Sequence, residues 1–235
     1  MSELSAADEK AVMHALRHPR GRYLVDRAAQ LSGVPRSTLY DWRRGSIYVP
    51  DFGVASPLAW SYRDLVYVRL LAWLRQLGMS RPDAAERVQI VKGTIAQGTS
   101  VRMIRSDGRT LFLDDEAQMG PNLLPFDDFL GLLRRFDLLE PVEELRWRGR
   151  DRVWAPDLVT PSTHTHISPW VLAGDPCVAR SRIPTAAIHA LRTERGLATE
   201  EIVDLYPGLT PEATDDAYTL ERRLRGLELP APAAA

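Results

Sequence analysis

Apolar positions along this chain change period several times, and each change marks an element. Over residues 5–18, Ala7, Ala11, Val12, Ala15 and Leu16 fall on one side of a helix, which Pro19-Arg20-Gly21 ends. It can pack on the neighbouring helices or on a second subunit. Val25, Ala28, Ala29 and Leu31 repeat the helical spacing. Gly33 then supplies the backbone freedom to leave the helix, and Pro35 suits the start of the next because its missing N–H is not needed there. Leu39 and Trp42, three apart, face back into an angle that Val34 can plug, which leaves Arg36, Ser37, Tyr40, Arg43 and Arg44 on the outer face. Ser61, with Asp64 three residues on, forms a capping box that opens a long helix ending at Gly78; Ser80-Arg81-Pro82-Asp83 opens a shorter one.

Beyond Gly98 the period shortens. Residues 99–105 alternate, Ser106-Asp107-Gly108 makes a turn and residues 109–113 return, which predicts a β-hairpin. A helical stripe resumes over 126–136 through Phe126, Phe129, Leu130, Leu133 and Phe136. Residues 144–147 and 152–154 predict a second hairpin, with Trp147 and Trp154 paired across it. From Ile167 an extended arm leads into three short helices, which start at Pro184, Thr199 and Thr210 and reach Arg195, Pro207 and Arg225. The predicted fold is mainly α with small β elements. A helix-turn-helix domain occupies 1–92, an α+β connecting layer 93–160 and a trihelical domain 161–228, and the Pro- and Ala-rich tail 229–235 is too poor in side-chain surface to order itself.

Composition and charge narrow the function. The 235 residues carry a net charge of −1, but unevenly. Residues 14–44 hold seven arginines against two aspartates, whereas residues 107–144 hold ten acidic side chains against three arginines. A basic N-terminal module on an acidic middle fits one DNA-facing end. The chain's preference for Arg over Lys offers a second source for that imbalance. No apolar run approaches the roughly 18 residues that span a membrane, and the N-terminus lacks a signal-peptide pattern. A single cysteine, Cys177, permits no internal disulfide, which fits a cytoplasmic protein in which it packs as a small apolar residue.

No nucleophile-and-base spacing, phosphate-binding glycine loop or metal-ligand set is visible, so no catalytic residue, metal or cofactor is expected. His14 and His18, four apart, and His164 and His166, two apart, each lack a third ligand.

The outer face of the second hairpin helix can reach base edges and phosphates, as a helix in a major groove must; the alternative is a small helical hairpin with a solvated, Arg-rich face. The order of motifs through and beyond the hairpin favours the first reading. Ala28-Ala29-Gln30-Leu31-Ser32-Gly33-Val34, Ser37-Thr38-Leu39-Tyr40, Ser61 with Asp64-Leu65, and Leu74-Arg75-Gln76-Leu77-Gly78, in that order over about residues 22–92, resemble the winged helix-turn-helix domain of MerR-type regulators. The resemblance implies double-stranded operator DNA as a partner. Its contacts would come from Arg22, Arg27, Arg36, Ser37, Thr38, Tyr40, Arg43 and Arg44. The wing, residues 45–59, has no basic residue, and Gly93, Gly98 and a strand-like run stand where the family has a long dimerisation helix.

The C-terminal stretch carries Pro169, Gly174 with Pro176, Arg182-Ile183-Pro184-Thr185, Gly196-Leu197, Glu200-Glu201-Ile202 and Tyr206 through Glu212. This string resembles the small domain of VapB-type antitoxins, which partner PIN-domain ribonucleases. The resemblance implies a toxin-binding role. A guanidinium pairs bidentately with the carboxylate cluster of such a nuclease, and Arg180 and Arg182 on the arm are the candidates. Arg182 can equally serve a salt bridge within its own module, and the trihelical unit can also dimerise. Together the two resemblances imply a non-enzymatic type II antitoxin, a homodimer or a larger assembly with its toxin, which represses its own operon. The runner-up is a stand-alone regulator whose C-terminal domain oligomerises or senses a ligand.

Overall fold

In the computed structural model of the chain, residues 6–53, 57–98, 104–106, 111–113, 136–139, 143–146 and 152–226 are described. The first helix, α1 (Ala6–Arg17), buries Val12, Ala15 and Leu16 and packs within the chain, against α4 (Tyr62–Gln76) and α5 (Arg81–Ala96). A two-residue strand, β1 (Tyr23–Leu24), leads into α2 (Val25–Ser32). Gly33 leaves that helix at φ 75°, a conformation that side chains resist, and its N–H returns to the Ala29 carbonyl. Val34, fully buried, fills the angle before α3 (Arg36–Arg44). Strand β2 (Ala59–Trp60) closes on β1 antiparallel, Tyr23 opposite Trp60.

Helix α4 starts as its sequence dictates. The Ser61 side chain accepts from the Asp64 N–H, and the Asp64 carboxylate accepts from the Ser61 N–H at 2.7 Å. Helix α5 differs from expectation. At 16 residues it outruns the 15 of α4, and it continues through Gly93 past the boundary drawn at residue 92. Val88, Val91 and Ile95 pack inward while Gly93 faces open space, so the inward stripe sustains the helix against the cost of about 1 kcal/mol that a mid-helix glycine imposes.

The connecting region confirms one hairpin and corrects the other. β3 (Ile104–Ser106) pairs antiparallel with β4 (Leu111–Leu113). β6 (Arg152–Ala155), however, pairs with β5 (Phe136–Leu139), not with 144–147. Residues Glu143–Leu145 form a 3-10 turn instead. The Glu144 carboxylate is tied to Arg75 and Arg81, and its carbonyl to Thr38, which anchors this stretch to the helices. Phe136 therefore begins a strand rather than ending a helix; the remainder of the expected helix, 126–135, lies outside the described residues, as does Trp147. Trp154 lies instead under the Arg223 guanidinium, 3.9 Å from ring centroid to Cζ.

In the C-terminal unit β7 (Thr165–His166) pairs antiparallel with β8 (Cys177–Val178), followed by α6 (Thr185–Glu194), α7 (Thr199–Leu205) and α8 (Pro211–Leu224). Val178, Ile188, Ile202, Leu209, Ala213 and Ala217 make a small core of their own. The unit is not self-contained. Leu220 and Leu224, farther along α8, together with Ile167, join the same apolar cluster as α1 through α5. The chain is mainly helical, and among the described residues no helix is long and apolar enough to cross a membrane.

Candidate nucleic-acid interface

Helix α3 has one buried side and one open side, and the open side carries the charge. Leu39 and Trp42 are buried, while Arg36, Ser37, Arg43 and Arg44 are exposed. Tyr40 is half-buried, edge-on to Trp60 with centroids 6.4 Å apart, so its ring is held against the core. Arg36 Nη1 donates to Asp26 Oδ1 on α2 at 3.0 Å, and its guanidinium lies 5.7 Å from the Tyr40 ring centroid. Arg44 pairs with Asp41 at 3.5 Å. Arg43 Nη2 donates to the Gly53 carbonyl at 3.0 Å, tying α3 to the following loop. Arg22, just before β1, is exposed, and its N–H donates to the Ala173 carbonyl at 3.0 Å.

Two residues grouped with these by sequence do not share the face. Thr38 is 4% exposed, and its hydroxyl donates to the Glu144 carbonyl. It points inward because it lies four residues before Trp42, on the packed side. Arg27 is turned toward the C-terminal unit. Nε donates to Asp175 Oδ1 at 3.0 Å, and Nη1 donates to the buried Glu221 at 3.2 Å and to Gln30 at 3.0 Å. Arg27 is thus a strut between α2 and α8 rather than a phosphate ligand. Thr185 and Arg225 complete the shell around Glu221 at 2.8 and 2.9 Å. Burial pushes the Glu221 carboxyl up, but the Arg27 charge and the three donors outweigh it and hold it below the usual range.

Two further links fix the helical hairpin to what lies behind it. Tyr23 Oη donates to the Gly174 carbonyl at 3.0 Å. Arg69 on α4, fully buried, donates from Nη2 to the carbonyls of Leu31 and Pro156 at 2.5 and 2.6 Å, and burial pulls its pKa down to about 9. The loop after α3 is fixed on its inner side by acid. Asp64 accepts from Tyr48 Oη at 2.6 Å and from the Asp51 N–H at 3.0 Å. The Asp51 carboxylate takes two bonds from Arg63 at 2.6 Å, one from Ser61 at 2.6 Å and one from Lys92 at 3.2 Å. Burial raises Asp51, but these donors win and hold it at about 2; burial and the Asp51 charge push Asp64 up to about 6.

The second candidate surface is the stretch holding Arg180 and Arg182, both exposed. It is not an extended arm. Cys177 bridges antiparallel to Pro184, the Val178 N–H donates to the Ile183 carbonyl at 2.9 Å, and the Ser181 side chain accepts from the Ile183 N–H at 3.1 Å. The segment doubles back because Pro184 starts α6 directly beside β8. Arg180 sits at the tip at φ 60°, a left-handed conformation unusual for a side-chain-bearing residue. Neither arginine has an ion-pair partner among the described residues. The His14 and His18 rings lie 4.6 Å apart, with Trp170 edge-on to His14 at 5.0 Å, whereas the His164 carbonyl accepts from the Ala179 N–H at 2.8 Å, next to Arg180. Among the described residues no group of three or more His, Cys, Asp or Glu could hold a metal ion.

Sequence reasoning missed the carboxylates Asp26, Asp175 and Glu221, because their partners lie on other elements and no local pattern announces them. Residues 166–219, from the end of β7 into α8, match a family described as a protein of unknown function (DUF433). No curated protein and no solved structure matches the chain.

Proposed function

We propose that this chain is a type II antitoxin that binds operator DNA as a dimer and neutralises a PIN-domain ribonuclease. In this reading its N-terminal part acts as a MerR-like winged helix-turn-helix and its C-terminal unit as a VapB-type toxin-binding domain. The observation that carries it is the open side of α3, where Arg36, Ser37, Tyr40, Arg43 and Arg44 stand on a helix whose other side is locked into the core. A helix so held can enter a major groove without losing packing, its first residues toward base edges and its last toward phosphates. In a dimer the two copies of α3 would lie about 34 Å apart, over an inverted repeat. The wing, which lacks basic residues, is tied to α3 by the Arg43–Gly53 hydrogen bond and to the start of α4 through Asp51 and Asp64. For the nuclease end, the support is the Arg180 tip, an exposed guanidinium with no ion pair among the described residues, on a tightly bonded turn.

The test is a native pull-down of the tagged full chain, with each co-purifying protein assayed for ribonuclease activity after separation. A small nuclease that is silent in the complex and active when freed is the expected result. A single species that binds a defined DNA sequence and no nuclease would overturn the antitoxin half and leave a stand-alone regulator.

A further inference from the structure

We infer that Asp26 is a positioning residue that aims Arg36 at a guanine, and so sets base specificity at one position of the DNA site. The inference rests on the DNA-reading proposal above. Asp26 lies in the first turn of α2, between Val25, which is buried, and Arg27, which reaches to α8. Its backbone is therefore fixed from both sides. Arg36 is the first residue of α3, the end of such a helix that meets base edges. The turn between them is short and locked by Gly33 at φ 75° and by the buried Val34. The two side chains meet at 3.0 Å, Nη1 to Oδ1, although both are largely exposed.

An exposed ion pair contributes little to folding, because solvent screens it. It can still restrict geometry. Arginine carries a planar fork of five donors on a long flexible stem. Here Asp26 holds one edge of the fork, and the Tyr40 ring lies against it at 5.7 Å. The Nε and Nη2 donors are left for a target. Guanine is the base that presents two major-groove acceptors, O6 and N7, to such a pair of donors. Asp26 also opposes binding in general, since a carboxylate repels phosphates. One of only two acids among seven arginines in residues 14–44, it suits selection among sequences better than affinity for DNA as such.

The experiment is enrichment of a random double-stranded DNA library on the full-length chain, for wild type, Asp26→Asn, Asp26→Ala, Arg36→Ala and the double variant Asp26→Ala/Arg36→Ala. Affinity for a scrambled duplex and the thermal midpoint are measured alongside. Wild type is expected to enrich a motif containing a guanine. Both Asp26 variants should lose discrimination at that guanine, on the order of tenfold, while the rest of the motif survives. The double variant should show the same motif as Arg36→Ala alone, and affinity for the scrambled duplex should hold or rise. An Asp26 variant that keeps the wild-type motif overturns the inference. So does an equal gain in affinity for every sequence, which would make Asp26 a simple charge mask, and so does a uniform loss accompanied by a lowered thermal midpoint. A wild-type chain that enriches no motif overturns the DNA reading itself, and does so in an arm that involves no variant.

Discussion

Gly174→Ala tests the claim that the helical hairpin is keyed into the C-terminal unit. A Cβ at Gly174 would lie 1.9 Å from Tyr23 Oη and 2.6 Å from its Cζ, and the backbone there has φ +94°. Tyr23 is 1% exposed and has no room to retreat. The positive φ costs alanine about 1–2 kcal/mol. Unmaking the buried Tyr23–Gly174 hydrogen bond costs about 1–3 kcal/mol, and the overpacking around the ring about 1–3 kcal/mol. The total is on the order of 5 kcal/mol, a large part of the roughly 5–15 kcal/mol that holds a domain folded. Urea denaturation of the full chain measures it: the midpoint should fall with the slope unchanged. Tyr23→Phe removes the atom nearest the new methyl, so Gly174→Ala should cost less in that background, with a coupling above about 1 kcal/mol. A Gly174→Ala variant within about 0.5 kcal/mol of wild type would refute the keyed contact.

Arg44 on α3 has a side chain 78% exposed, so Arg44→Ala should leave the denaturation midpoint unchanged while lowering DNA affinity for all sequences alike, with the salt slope shallower by about 0.9 in a gel-shift series at several ionic strengths. Glu221 has its folded pKa held below 4.5, so its contribution to stability is present above that value and is lost as pH falls through and below it. Glu221→Gln should lower stability at pH 7 and flatten the acid limb of the denaturation profile, and an unchanged limb would assign acid sensitivity elsewhere. Arg69→Met leaves two buried carbonyls, of Leu31 and Pro156, without their donor, so stability should drop by about 2–4 kcal/mol.

Elements whose causes are local were legible in the residue pattern alone. The Ser61–Asp64 box, the Gly33 exit and Pro211 at the start of α8 each act within a few residues, and the structure has them where the pattern puts them. Apolar spacing likewise assigned Leu39 and Trp42 to the core. What failed depends on distant partners. The Arg27 contacts are 148 and 194 residues away in sequence, and the carbonyl that takes Thr38 is 106 away. Nothing near Arg27 distinguishes a strut from a phosphate ligand, whereas for Thr38 the spacing of four to Trp42 was a local sign of the packed side. The strand opposite 152–155 was misassigned for the same reason. The nearer stretch, 144–147, competed with the more apolar 136–139, and Glu144 is instead bound to Arg75 and Arg81 on the helices. The loop that presents Arg180 read as extended because its turn rests on Cys177–Pro184 pairing and the Ser181 side chain rather than on a glycine.

The shared core decides how the two proposed activities can be separated. Deleting residues 167–235 is the obvious way to remove nuclease binding, but it also removes Ile167, Leu220 and Leu224 from the N-terminal cluster. The two leucines alone represent about 3–6 kcal/mol of buried apolar surface. The same cut strips Arg27 of Asp175 and Glu221, and Tyr23 of the Gly174 carbonyl. The truncated chain should therefore melt well below wild type and bind DNA poorly, whatever the C-terminal unit does with a partner. Arg180→Ala and Arg182→Ala avoid this, because both side chains are exposed and make no ion pair among the described residues. They should melt with wild type, retain DNA binding and lose inhibition of the nuclease. A truncated chain with the wild-type melting midpoint would show that the α8 leucines contribute nothing to the N-terminal core, and the keyed-unit picture would fall with it.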